Sequence, residues 1–137
     1  MNDIETRADI DHLMSEFYER AFADDLLGYI FRDVAKLDLG THLPIIGDFW
    51  ETLLLGNQVY SRHGRNPLQI HGELNDKTPL EAKHFRRWLQ IFNATVDELF
   101  RGERASFAKV RAGTIANRML NFVGGVPGIH AVSLQTS

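Results

Sequence analysis

Cysteine is absent from all 137 residues, and with it go disulfides, thiolate nucleophiles, zinc–thiolate sites and iron–sulfur clusters. Histidine is left as the main soft metal ligand. Missing too is any run of lysine or arginine, and the net charge is −3, so the chain has no electrostatic footprint for nucleic acid or an anionic membrane surface. No stretch nears the roughly 20 apolar residues of a membrane span. The opening MNDIETRADIDH is acidic and polar, where a signal peptide needs a basic start followed by an apolar run. The expectation is a soluble, cytoplasmic protein with neither nucleic acid nor membrane as partner. No GxSxG, P-loop or GxGxxG is present, and Gly124-Gly125 reads as a helix stop signal. The histidines at 12, 42, 63, 71, 84 and 130 are scattered, with no HExxH or other close pair for zinc.

What the chain does have is helical periodicity. At 44% hydrophobic and 24% charged, it suits one globular domain over 1–137, with a core over about 8–122 and a loose Gly/Pro-containing tail at 124–137. Ile10, Leu13, Met14, Phe17, Tyr18, Ala21 and Phe22 form a first apolar stripe. A second helix is expected from about Leu39 to Leu55, with His42, Ile46, Phe49, Trp50 and Leu53 on one face and Pro44 tolerated in the first turns. Thr78-Pro79-Leu80-Glu81 reads as a capping box with proline at the first helical position. The third helix then runs through Phe85, Trp88, Leu89, Phe92, Val96 and Leu99 to near Gly102. A fourth, Ala105 to Val123, carries Ala108, Ala112, Ile115, Met119 and Phe122 inward, its small residues allowing close helix approach. Residues 57–77 hold only a short helix at Pro67–Glu73, and so much irregular chain in a compact domain points to function. The fold class is all-α, without a strand signal. Asp24-Asp25 and Asp97-Glu98 read as solvated surface charge.

Polar groups interrupt the apolar stripes. Tyr18, His42 and Trp88 lie on them, and NPLQIHGEL at 66–74 sets His71 among Leu68, Ile70 and Leu74. Each alone has an ordinary explanation as a core residue with one satisfied hydrogen bond. Four such groups from four segments need partners that aliphatic neighbours do not supply, so the pattern points to a polar group or a metal among them.

These residues also carry a family resemblance. FYERAFADDLLGYIF at 17–31, His42 with IIGDFW to 50, LLGNQVYSRHGRNPLQIH at 54–71 and HFRRWLQIF at 84–92 resemble the truncated haemoglobins over about residues 8–122. The glycine pairs typical of the first two groups are absent, which favours the third. The resemblance implies a two-over-two helical sandwich around haem b, iron protoporphyrin IX. It makes His71 the axial iron ligand, with Tyr18, His42 and Trp88 as the distal, ligand-facing residues. Phe31, thirteen residues after Tyr18, corresponds to the aromatic that stacks on the haem face, and Ile46, Phe49, Leu68 and Phe85 to pocket walls. The usual basic positions for the propionates hold Ile70 and Ile45, leaving Arg62 and His84 as candidates. His12, His63 and His130 are expected at the surface.

Haem brings diatomic gas binding and redox chemistry. The function implied is binding of dioxygen, nitric oxide or carbon monoxide at a pentacoordinate iron. Two polar donors would hold dioxygen too long for transport, favouring redox chemistry or detoxification, with peroxidase-like or nitric-oxide-dioxygenase-like activity and a reductase partner as the corresponding options. One alternative is a hexacoordinate electron-transfer globin with His42 on the iron. The other is a haem-free interaction module, in which Phe49 and Trp50 form an exposed partner-binding stripe.

Overall fold

The structure, a computed structural model, describes residues 1–60 and 80–123. Helix α1 spans Arg7–Ala23, α2 Leu39–Leu55, α3 Ala82–Leu99 and α4 Glu103–Val123, with a five-residue π-helical turn at Ile30–Val34 between α1 and α2. No strand occurs among the described residues. The short helix expected at Pro67–Glu73 and the tail at 124–137 lie outside them.

Local chemistry sets the helix ends. Thr6 caps α1 reciprocally with Asp9: the Thr6 hydroxyl accepts from the Asp9 N–H, and the Asp9 carboxylate accepts from the Thr6 N–H. Asp38 accepts from the Gly40 N–H at 3.1 Å to start α2, which ends at Gly56 in the left-handed conformation. The start of α3 differs from the sequence expectation. Its N-cap is Glu81, and both Leu80 and Glu81 precede the helix, so the Thr78-Pro79 start is displaced. The physical reason is a second capping box, in which the Glu81 N–H donates to Nδ1 of His84 at 2.9 Å and the Glu81 carboxylate accepts from the His84 N–H.

Helix α4 takes its cap from the far end of the chain. The Asp3 carboxylate accepts from the N–H groups of Ala105, 2.8 Å, and Arg104, 3.0 Å, which are the free donors of the first turn. Gly102 makes room for this, since a Cβ there would fall 2.5 Å from Asp3 Cγ. Ile4 follows Asp3 into the core with no exposed surface, so the core reaches further back than residue 8.

The helices form two layers: α1 packs on α2, α3 packs on α4, and α1 against α3 joins the pairs, as the two-over-two expectation requires. Phe92, fully buried on α3, lies at the junction. Trp50 and Trp88 both stack near it, at centroid distances of 5.1 and 5.5 Å, while Phe17 meets it edge-on at 5.5 Å. Full burial of a side chain such as Phe17 or Phe92 contributes roughly 1.5–3 kcal/mol. On α4 the buried Ala105, Ala108, Ala112 and Ala116 form a small-residue stripe. Trp50 is 3% exposed, so it belongs to the core and not to an exposed stripe.

Candidate functional site

The polar residues on the apolar stripes converge where α1, α2 and α3 meet. Tyr18, at mid-helix on the inner face of α1, is buried, and its hydroxyl oxygen lies 3.0 Å from Nε2 of His42 in the second turn of α2. The direction of this hydrogen bond follows the His42 tautomer. Burial pushes the Tyr18 phenol well above its usual range, because charge is disfavoured away from water. Tyr18 is therefore a neutral hydroxyl with one proton to give.

Rings enclose it. Phe17, His42 and Phe31 approach Tyr18 edge-on at 5.0, 5.2 and 6.0 Å. Phe31 comes from the π-helical turn, where the Ala35 N–H donates to Ile30 O at 2.7 Å, and its ring stacks on Phe22 with an interplanar angle of 2°. The extra residue of a π-turn re-aims side chains relative to an α-helix, and Phe31 thereby faces both Phe22 and Tyr18.

Trp88 joins through Phe17, edge-on at 5.6 Å. Its indole makes ring contacts but no hydrogen bond with any described residue, leaving a donor-only N–H to spend elsewhere. Ile46 and Phe49 are half-buried on the core's flank, as are Phe31 and Trp88, while Phe85 is buried. The structure thus brings together Tyr18, His42 and Phe31 directly, and Trp88 through a shared ring. Arg62, Leu68 and His71, with His63 and His130, lie outside the described residues. His12 is exposed, as expected.

His84 has a structural task. It is 6% exposed, and its Nδ1 is committed to the Glu81 N–H. Asp24 departs from the surface reading: its side chain is 5% exposed, accepts from the Leu26 and Leu27 N–H groups at 3.0 Å, and holds Arg87 of α3 at 2.7 Å. A carboxylate just past a helix end becomes a cross-helix staple once α3 is alongside.

Arg7 was not singled out by sequence reasoning. From the first turn of α1 it pairs with Asp11 and, across to α2, with Asp48 and Glu51, and donates to Pro44 O at 3.1 Å. Burial works against its charge, but hydrogen bonds to Asp11, Glu51 and Asp48 raise its pKa further above the usual range. Gly47 permits this approach, as a Cβ there would sit 2.5 Å from an Arg7 guanidinium nitrogen. The effect is to fasten the helix carrying His42, Ile46 and Phe49. The Arg7–Asp11 pair has an i, i+4 signature, but Asp48 lies 41 and Glu51 44 residues away, with no local signal. Two open clefts, of about 570 Å³ beside Phe100 and Lys109 and about 440 Å³ beside Arg20 and Gln90, contain none of Tyr18, His42, Phe31 or Trp88, although the Asp24–Arg87 pair lines the second.

A helical sandwich in two pairs, with a buried tyrosine bonded to a half-buried histidine between α1 and α2, is a globin-type architecture reduced to four long helices. The chain is 31% identical over 117 residues to the group 3 truncated hemoglobin ctb of Campylobacter jejuni, spanning 83% of this chain and 87% of that protein. A crystal structure of group III truncated hemoglobin from Campylobacter jejuni matches with a TM-score of 0.76 and 29% identity, covering 90% of this chain and 95% of that one. No family model matches. The chain belongs to the truncated haemoglobins, in their third group. No described helix is long and apolar enough to cross a membrane.

Proposed function

We propose that this protein binds haem b and, through it, diatomic gases, and that the pocket is built to react with dioxygen, nitric oxide or peroxide more than to transport a gas. Haem supplies the gas binding and the electron chemistry; the protein sets which ligand is held and where protons lie. The carrying observation is the 3.0 Å pairing of Tyr18 and His42, linked to the indole of Trp88 through the Phe17 ring, in a chain related to proteins named as haemoglobins.

The described residues fit such a group. Phe31, Ile46, Phe49 and Trp88 offer half-buried apolar surface suited to a flat porphyrin, and the Trp88 N–H has no acceptor among the described residues. His71 is the proposed axial ligand, with Leu68 as a wall and Arg62 as a propionate partner. Tyr18 stays protonated and donates one hydrogen bond, to His42 or to a ligand, but not to both. His42 Nε2, the nitrogen facing Tyr18, is already engaged. That supports a gating role for His42 and a pentacoordinate resting iron over the hexacoordinate reading.

Burial of Trp50, with Phe49 half-buried, counts against the exposed stripe of the haem-free interaction module. The test is the colour of the purified protein. A strong Soret band, with the visible spectrum of a five-coordinate ferrous form, supports the proposal. A preparation that stays colourless on adding hemin rules it out, and sharply split ferrous bands would move His42 onto the iron.

A further inference from the structure

A capping box normally uses Glu or Gln at its third helical position, residues whose acceptor oxygens persist across physiological pH. Here that position is His84. An imidazole accepts a hydrogen bond only when neutral, and only through the nitrogen without a proton. The Glu81 N–H points at Nδ1 from 2.9 Å, so the ring is neutral and its proton is on Nε2. We infer that His84 is a positioning residue for the pocket: its ring nitrogen fixes the start of α3, and with it the setting of Phe85 and Trp88, until the ring is protonated.

This inference rests on the proposed pocket. His84 and Trp88 are four residues apart, so they share one stripe of α3, and buried Phe85 follows His84 directly. Freeing the first turn therefore loosens the stretch that carries them. Burial pushes the His84 pKa down, the Lys83 ammonium adds to this, and the Glu81 carboxylate opposes it. Those two groups, themselves paired at 3.4 Å, are the charges acting on the ring; none from α1, α2 or α4 acts on it among the described residues. Because the ring takes a proton less readily folded than unfolded, the latch holds above the ordinary histidine value of 6.5. It is lost as pH falls below that value.

The test compares full-length haem-loaded wild type, His84→Gln and His84→Ala from pH 8 to pH 5. Dioxygen dissociation is followed by stopped flow. Nitrogen–proton correlation of the His84 ring and the Trp88 indole, the latter assigned with Trp88→Phe, is recorded on the carbon monoxide form and on the haem-free chain. Wild type is expected to show the Nε2–H tautomer at pH 8 and a dissociation rate that rises by about fivefold on acidification, the factor set by one lost cap. His84→Gln, which keeps an acceptor that does not titrate, should stay at the pH 8 rate throughout; His84→Ala should show the raised rate throughout. An Nδ1–H tautomer, a wild-type pH step retained in His84→Gln, or a wild-type rate in His84→Ala at pH 8 overturns the inference. If His84→Ala does not fold, His84→Gln against wild type decides alone. If no variant takes up haem, it is the proposed function that fails. The latch is then judged on the haem-free chain, by a Trp88 resonance that moves with pH in wild type and not in His84→Gln.

Discussion

Tyr18 Oη and His42 Nε2 are 3.0 Å apart, although 24 residues and an intervening π-turn separate them in the chain. The phenol has a single proton, so the His42 tautomer decides what Tyr18 can offer: with Nε2 unprotonated that proton goes to His42, and with Nε2–H the phenol accepts and keeps its proton for a ligand.

Removing the donors should therefore speed gas release. A hydrogen bond to a partly charged acceptor is worth about 1.5–3 kcal/mol, and each ~1.4 kcal/mol is tenfold in an equilibrium. Tyr18→Phe and Trp88→Leu are each expected to raise the dioxygen dissociation rate by about tenfold, and together by about a hundredfold. Stopped-flow displacement with carbon monoxide measures this. An unchanged rate in the double variant would mean that neither group touches the ligand.

Glycine at position 71 should abolish haem uptake. The expected outcome is loss of the Soret band on purification and its return when imidazole is added with hemin. A His71→Gly protein with the wild-type spectrum in imidazole-free buffer would place the axial ligand elsewhere.

Trp50 lies in the core, stacked 5.1 Å from Phe92, and Trp50→Ala should cost about 3–5 kcal/mol. Urea denaturation followed by circular dichroism reads that loss directly. A near-neutral effect would revive an exposed, partner-binding role for this side chain.

Asp24 gives a pH signature. Burial works to raise its carboxyl, but the Arg87 guanidinium and the Leu27 and Leu26 N–H groups outweigh it and hold the pKa below the ordinary 3.8. The folded state thus prefers the ion, so this stability is complete above about pH 5 and is lost as pH falls through 3.8 toward the lower folded value. Asp24→Ala should cost about 1–3 kcal/mol at pH 7 through lost capping and charge-assisted bonds, and the gap to wild type should narrow in urea melts near pH 3. A gap that does not change with pH would mean that the carboxylate charge does no work there.

The fold was legible where a periodic stripe and an end signal coincided. Helix α2 begins at Leu39 and ends at Leu55 as the stripe indicates, and Tyr18, His42 and Trp88 were visible because they break apolar patterns. The start of α3 misled because the capping pattern read at Thr78 to Glu81 in the sequence overlaps the box that Glu81 forms with His84, and the unusual acceptor in the latter goes unrecognised by pattern alone. The π-turn at Ile30–Val34 is too short to have a period. Asp3, Asp24 and Arg7 each act on groups far along the chain, and such partnerships exist only after the layers assemble.

The ring cage around Tyr18 has a mechanical consequence. With Phe17, Phe31 and His42 all set edge-on against it, the buried phenol is hemmed by three rings, and the freest motion left to it is rotation of its hydroxyl hydrogen. Any reassignment of that hydrogen must come from a turn of the O–H bond or of the imidazole opposite, motions of light groups that leave the helices where they are.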